Sequence, residues 1–377
     1  MGEAFKEFIN SGLIEVMARE LEKAGRDFDG KVFRKRALEG LGALELKERV
    51  YQVSHALEAA LPADYERALE IMEVSLAPVR EGDEPGELRS CDTGLAGWAI
   101  WPMTEFVARC GQGARERSLE ALRQLTQRFS AEFAVRPFLA ADPQGTLSFL
   151  GRWLKDPSAH VRRWLSEGTR PRLPWGMRLD CFIEDPRACW PILRHLHDDP
   201  SEYVRRSVAN HLNDISKDHP ELAVEYCAEL VKLGATTTEP LVKHALRSLV
   251  KHGHPGALSL LGFGGGSSIR CVKFELSSKR LKIGEVVGMS IELRNAGRQS
   301  VKVVADYAVH YLRANGSHSR KVFKGSNLQL PAGETQALVF NHRFKDVTVR
   351  RHYPGKQGME LLVNGSSLAR EDLHLRA

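Results

Sequence analysis

Asp156-Pro157-Ser158-Ala159-His160-Val161-Arg162-Arg163 returns 43 residues later as Asp199-Pro200-Ser201-Glu202-Tyr203-Val204-Arg205-Arg206, with six of eight positions identical. A period of that length belongs to stacked two-helix repeats, in which one helix pair cannot bury its apolar face alone and neighbours complete the core. The Asp-Pro step ends one helix and the Val-Arg-Arg segment opens the next. A looser copy, Pro240-Leu241-Val242-Lys243-His244, follows the second.

Outward from this repeat, apolar residues keep helical spacing from residue 3 to about 260, as in Phe5, Phe8, Ile9 and Leu13 or Leu222, Tyr226, Leu230 and Leu233. Breaks fall on turn chemistry at Pro62-Ala63-Asp64, Gly111-Gln112-Gly113, Asp142-Pro143, Asp156-Pro157, Asp199-Pro200 and His219-Pro220. After the Gly/Ser-rich stretch 261–268, short alternating runs are separated by Asn295-Ala296-Gly297, Asn315-Gly316, Pro331-Ala332-Gly333 and Asn364-Gly365. About seven strands without a Cys pair predict an immunoglobulin-like sandwich. The expected architecture is an all-α HEAT-like repeat solenoid (1–260), a linker (261–268) and an all-β immunoglobulin-like sandwich (269–377).

The net charge of +6 is unevenly spread. Residues 269–377 carry 19 Lys and Arg against 9 Asp and Glu, whereas residues 1–90 carry 13 against 19. A basic module of this kind suits a polyanion such as nucleic acid. The N-terminal segment shows no signal-peptide pattern and no apolar run reaches 18 residues, so a cytoplasmic protein with no membrane partner is expected. Six widely spaced cysteines fit neither a disulfide scaffold nor a metal knuckle. P-loop, zinc-hydrolase, zinc-deaminase and nucleophile-elbow motifs are all missing, which leaves no support for phosphoryl transfer or metal-dependent hydrolysis.

All six tryptophans lie between residues 98 and 190, among arginines. Trp153 and Trp164 flank the first Asp-Pro turn, while Leu196 and Ser207 stand at the matching places of the second. Aromatics beside cations and carboxylates suit contact with a positively charged base. Core packing is the alternative for any of them.

Two longer segments carry a resemblance. Phe129-Ser130-Ala131-Glu132-Phe133-Ala134-Val135-Arg136-Pro137-Phe138 and Val161 to Trp175, together with Leu44 to Arg49, resemble the AlkC branch of the HEAT-repeat AlkC/AlkD DNA glycosylases. That resemblance implies excision of cationic N3-alkylated bases, 3-methyladenine and 3-methylcytosine, from double-stranded DNA by a monomer, with no cofactor or metal. It places the catalytic aspartate on Asp156, whose alternative role is a helix cap like that of Asp199. Glu132 is the second catalytic candidate, and Glu167, Trp164, Trp153 and Trp101 are expected at the lesion. Phosphate contacts are expected from Arg152, Arg162, Arg163, Arg170, Arg172, Arg205, Arg206 and Lys243 on the helices. Lys321, Lys324, Arg350 and Arg351 are expected to supply them from loops of the sandwich. A non-enzymatic repeat scaffold binding DNA or protein is the competing expectation.

Overall fold

The computed structural model describes residues 5–79, 90, 93–263, 268–345 and 351–376. Two compact units emerge, Met1–Asp218 with Glu229–Ala245, and His219–Ala228 with Leu246–Ala377. The helical residues from Leu246 onward thus group with the sandwich and not with the repeats.

The first unit is built from helices whose breaks fall at the turn signals. Leu46–Ala60 and Tyr65–Val74 are separated at Pro62-Ala63-Asp64, where the Asp64 carboxylate caps the second helix. Asp142 caps Pro143–Leu150 in the same way. The two repeat copies open the helices Ala159–Gly168 and Glu202–Ile215, which pack on one another, and Thr238–Ala245 packs on the second. Val161, Trp164 and Leu165 form the buried face of Ala159–Gly168. This is the helical periodicity expressed as packing.

In the second unit, eight strands are described: β1 (Ile269–Leu276), β2 (Arg280–Lys282), β3 (Val286–Asn295), β4 (Val301–Leu312), β5 (His318–Leu330), β6 (Thr335–Arg343), β7 (Gly355–Val363) and β8 (Ser366–Arg376). They form a three-stranded sheet, β1-β3-β6, and a five-stranded sheet, β2-β8-β7-β4-β5. Met289, Ile291, Val303, Val309, Met359 and Leu361 fill one core from both sheets. The Asn364-Gly365 turn joins β7 to β8 with positive φ at both residues, as a type I′ hairpin demands. Lys321 and Lys324 lie within β5 and not on a loop, since the strand begins at His318. Arg350 lies outside the described residues.

Candidate active site

Asp156 and Asp199 perform the same task. In each copy the carboxylate Oδ1 accepts the backbone N–H two residues on, Ser158 or Ser201, at 2.9 Å. Oδ2 is bound by an arginine from the preceding repeat, Arg123 to Asp156 at 2.7 Å and Arg162 to Asp199 at 2.6 Å. Six residues on, Arg162 and Arg205 donate to the carbonyls of the Asp-Pro step. The result is a ladder of Asp–Arg pairs that stitches successive repeats together. The Asp156 side chain is only 2% exposed, with both oxygens occupied. In this arrangement Asp156 serves the fold, since its Oδ1 holds the Ser158 N–H and its Oδ2 the Arg123 guanidinium, which leaves neither oxygen without a partner.

Trp164 and Trp153 are likewise core residues. Trp164 is 1% exposed, and its indole N–H donates to the Ala131 carbonyl at 3.1 Å. Trp153 packs on it with ring centroids 5.9 Å apart and is covered by Arg123. Large rings fill this part of the first repeat copy and leave no face for a base. Trp101 is also buried on its helix, stacked on Phe133 at 5.4 Å, but one part of it lines a cavity.

What the structure does gather is Glu132, Arg163 and Glu167. Glu132 sits in the turn before the helix Arg136–Ala141, and Gly168 allows that turn to press against the end of Ala159–Gly168. A Cβ at Gly168 would lie 2.5 Å from the Val135 side chain. Arg163 and Glu167 share a helix face at i,i+4 spacing. Arg163 bridges the two acids: Nη1 donates to Glu132 Oε2, and Nη2 lies 3.4 Å from Glu167 Oε1. Ser130 Oγ donates to the same Glu132 oxygen at 2.7 Å. Glu167 is further bound by Arg170 Nη1 at 2.5 Å and by Ser207 Oγ at 2.6 Å, and Arg170 continues to Asp214.

Burial alone would raise the Glu167 carboxyl, but Arg163 and Arg170 outweigh it and hold the group below its ordinary range. Burial likewise opposes the charge on Arg163, and the facing Glu132 and Glu167 carboxylates more than restore it. Every oxygen of Glu167 is engaged, whereas Glu132 Oε1 has no hydrogen-bond partner among the described residues. The Glu132 side chain is also the more open of the two, 16% exposed against 7%. Tyr203, which sequence reasoning passed over, lies under Arg163 with its ring centroid 5.1 Å away. Its signal was the repeat itself, because Tyr203 replaces His160 at the matching position.

Arg136 is the second omission. It is fully buried without a carboxylate partner, and its guanidinium donates to the carbonyls of Met177, Gly168, Arg170 and Pro171. Burial, with Arg170 nearby, pulls its pKa down to about 10. It anchors the loop that follows the Glu167 helix.

The cations expected on phosphate divide into two groups. Arg162, Arg163, Arg170 and Arg172 are spent in internal ion pairs, Arg172 with Asp218, and Arg205 holds the Asp199 and Pro200 carbonyls. Arg152, Lys243, Lys321, Lys324 and Arg351 are exposed, as is Arg206, which pairs with Glu202.

Two-helix repeats carrying a buried carboxylate–guanidinium cluster, on a chain that also bears an immunoglobulin-like sandwich, define the class of protein. Residues 270–377 match the family described as "Uncharacterised protein YhaZ, C-terminal Ig-like domain". The chain is 36% identical over 361 residues to the Bacillus subtilis (strain 168) protein YhaZ, covering 96% of each. It is 37% identical to Pseudomonas fluorescens alkylpurine DNA glycosylase AlkC, solved bound to DNA containing an abasic site analog, at full coverage of both chains and a TM-score of 0.87. The chain belongs to this AlkC/YhaZ family. Among the described residues no helix is long and apolar enough to cross a membrane.

Proposed function

We propose that this protein is a DNA glycosylase that removes N3-alkylated bases, 3-methyladenine and 3-methylcytosine, from duplex DNA, acting as a cytoplasmic monomer. The observation that carries this reading is the full-length likeness to an alkylpurine DNA glycosylase. The free oxygen of Glu132 is its chemical counterpart. An N3-alkylated base is cationic and leaves readily, so the enzyme must chiefly stabilise the positive charge that develops on the sugar and direct water to it.

Glu132 is the group we assign to that task. Ser130 and Arg163 fix one of its oxygens, and the other is open to the sugar cation or the attacking water. Glu167 acts as a positioning residue, since its oxygens are consumed by Arg163, Arg170 and Ser207. Phosphate would be met by the exposed cations, Arg152, Arg206 and Lys243 on the helices and Lys321, Lys324 and Arg351 on the sandwich.

Incubation of the purified protein with methylated duplex DNA, followed by chromatography of the released bases, tests the assignment. Release of 3-methyladenine above the buffer control is expected. No release across a range of salt concentrations would leave a DNA- or protein-binding scaffold.

A further inference from the structure

Successive repeat copies treat the same arginine differently. Arg163 and Arg206 hold one place in the repeat, the second arginine after the Asp-Pro turn. Arg206 is 66% exposed and pairs with Glu202 on its own helix, whereas Arg163 is drawn in to 14% exposure between Glu132 and Glu167. The copy that follows each arginine differs in step. Tyr203 stands in the copy after Arg163, and Leu241 holds the matching place in the copy after Arg206.

Tyr203 presents its ring to the Arg163 guanidinium, with 5.1 Å between Cζ and the ring centroid. The donors on the edge of that guanidinium go to Ser130, Glu132 and Glu167. With its edge on oxygens and its face on a ring, a planar guanidinium has one orientation. His160 meets the Tyr203 ring at 5.8 Å, edge to face, and fixes it in turn. Burial raises the Tyr203 phenol, Arg163 opposes that, and Glu132 and Glu167 add to it, so the side chain lies within the field of the same cluster.

The aim of Glu132 depends on this orientation. Its Oε2 is held by Arg163 and Ser130, and Ser130 Oγ itself receives Arg163 Nη1 at 2.7 Å. Both groups that fix the carboxylate therefore lead back to Arg163.

We infer that Tyr203 is a positioning residue for excision, its ring holding the Arg163 guanidinium in the plane from which Glu132 is aimed. The inference rests on the glycosylase reading, with Glu132 as the charge-stabilising group.

Single-turnover release of 3-methyladenine at saturating enzyme, measured beside the affinity for duplex DNA containing an abasic site analog, tests it. Tyr203→Leu imports the residue of the third copy and should slow excision roughly three- to thirtyfold at parental DNA affinity. Tyr203→Met, equally without a ring, repeats the measurement should the Leu variant unfold. Tyr203→Phe keeps the ring and should stay within about twofold of the parent. Added to Glu132→Gln, Tyr203→Leu should cost nothing further, because the ring acts through that carboxylate, whereas a residue that merely packs would multiply the loss. Parental excision by the ringless variants, equal losses in the Phe and Leu variants, a loss confined to DNA affinity, or a multiplied loss beside Glu132→Gln would each overturn the inference and leave the glycosylase reading standing. A parent that releases no base, or a Glu132→Gln variant at the parental rate, would overturn that reading and the inference with it.

Discussion

Replacing Asp156 and Asp199 in turn with Asn separates a stitched repeat from a catalytic aspartate. Asn keeps an oxygen for the Ser158 or Ser201 N–H but loses the charge that holds the arginine. At Asp199 the pair is bidentate and mostly buried, the Arg162 and Asp199 side chains being 13% and 4% exposed. Leaving such a guanidinium unpaired costs roughly 3 kcal/mol, the lower end for a broken buried pair. Arg123 is 27% exposed, and water recovers part of its solvation, so Asp156→Asn should cost about 1–2 kcal/mol. For a unit of this size these losses correspond to about 6–12 °C and about 2–8 °C in melting temperature. Differential scanning calorimetry measures the shifts, and single-turnover excision at 25 °C measures the chemistry. Both variants should excise within roughly a factor of ten of the parent, short of the loss of about 10²-fold or more that follows removal of a charge-stabilising group. If Asp156→Asn melted as the parent does and lost about 10²-fold in excision, the structural assignment of Asp156 would be wrong.

Three further outcomes follow from the same structure. Trp164→Phe removes the donor to Ala131 and part of a filled volume, and should cost roughly 1–3 kcal/mol in denaturant unfolding with no selective loss of excision in the folded fraction. His211 is buried, donates through Nδ1 to the Ser166 carbonyl, and has no partner at Nε2, so burial depresses its pKa to about 4. The unfolded chain takes that proton near pH 6.5, so the penalty is absent above about pH 6.5 and grows to about 3 kcal/mol as pH falls towards 4. His211→Gln should flatten the stability profile across that window, and an unchanged slope would show that the imidazole protonates without cost. If the sandwich meets phosphate, Lys321→Glu with Lys324→Glu should reduce the salt dependence of DNA binding, the log–log slope falling by about 0.9 for each phosphate no longer neutralised.

The helical breaks were legible because Asp-Pro and His-Pro steps are local chemistry, and the Asn-Gly hairpin likewise needs only two residues. β2 and β8 carry only a weak strand signal in the sequence, for physical reasons. Arg280–Lys282 is three residues long, and in Ser366–Arg376 the alternation is blurred, with fully buried positions only at Leu373 and Leu375. β5 reads as polar because most of it is open to solvent. At the site, the segments around Glu132 and Glu167 were recognisable, but their bridge was not, since Arg163 resembles its neighbour Arg162 until the helix turns one towards Glu132 and the other towards Asp199. The tryptophans flanking Asp156 misled for a related reason. At the Trp164 position the second copy carries Ser207, which donates to Glu167, so the difference between copies concerns filled volume and site support rather than a base-stacking face. The contact of Tyr203 with Arg163 joins two repeat copies, a juxtaposition no single stretch of sequence displays.

The assignment of Glu132 is tested most directly by the single-turnover release of 3-methyladenine by Glu132→Gln, measured beside its affinity for duplex DNA containing an abasic site analog. Gln keeps the oxygen that receives Ser130 and Arg163 but removes the negative charge. The account predicts a loss of excision of about 10²-fold or more with DNA affinity retained. Excision at the parental rate by a variant that binds DNA normally would contradict it.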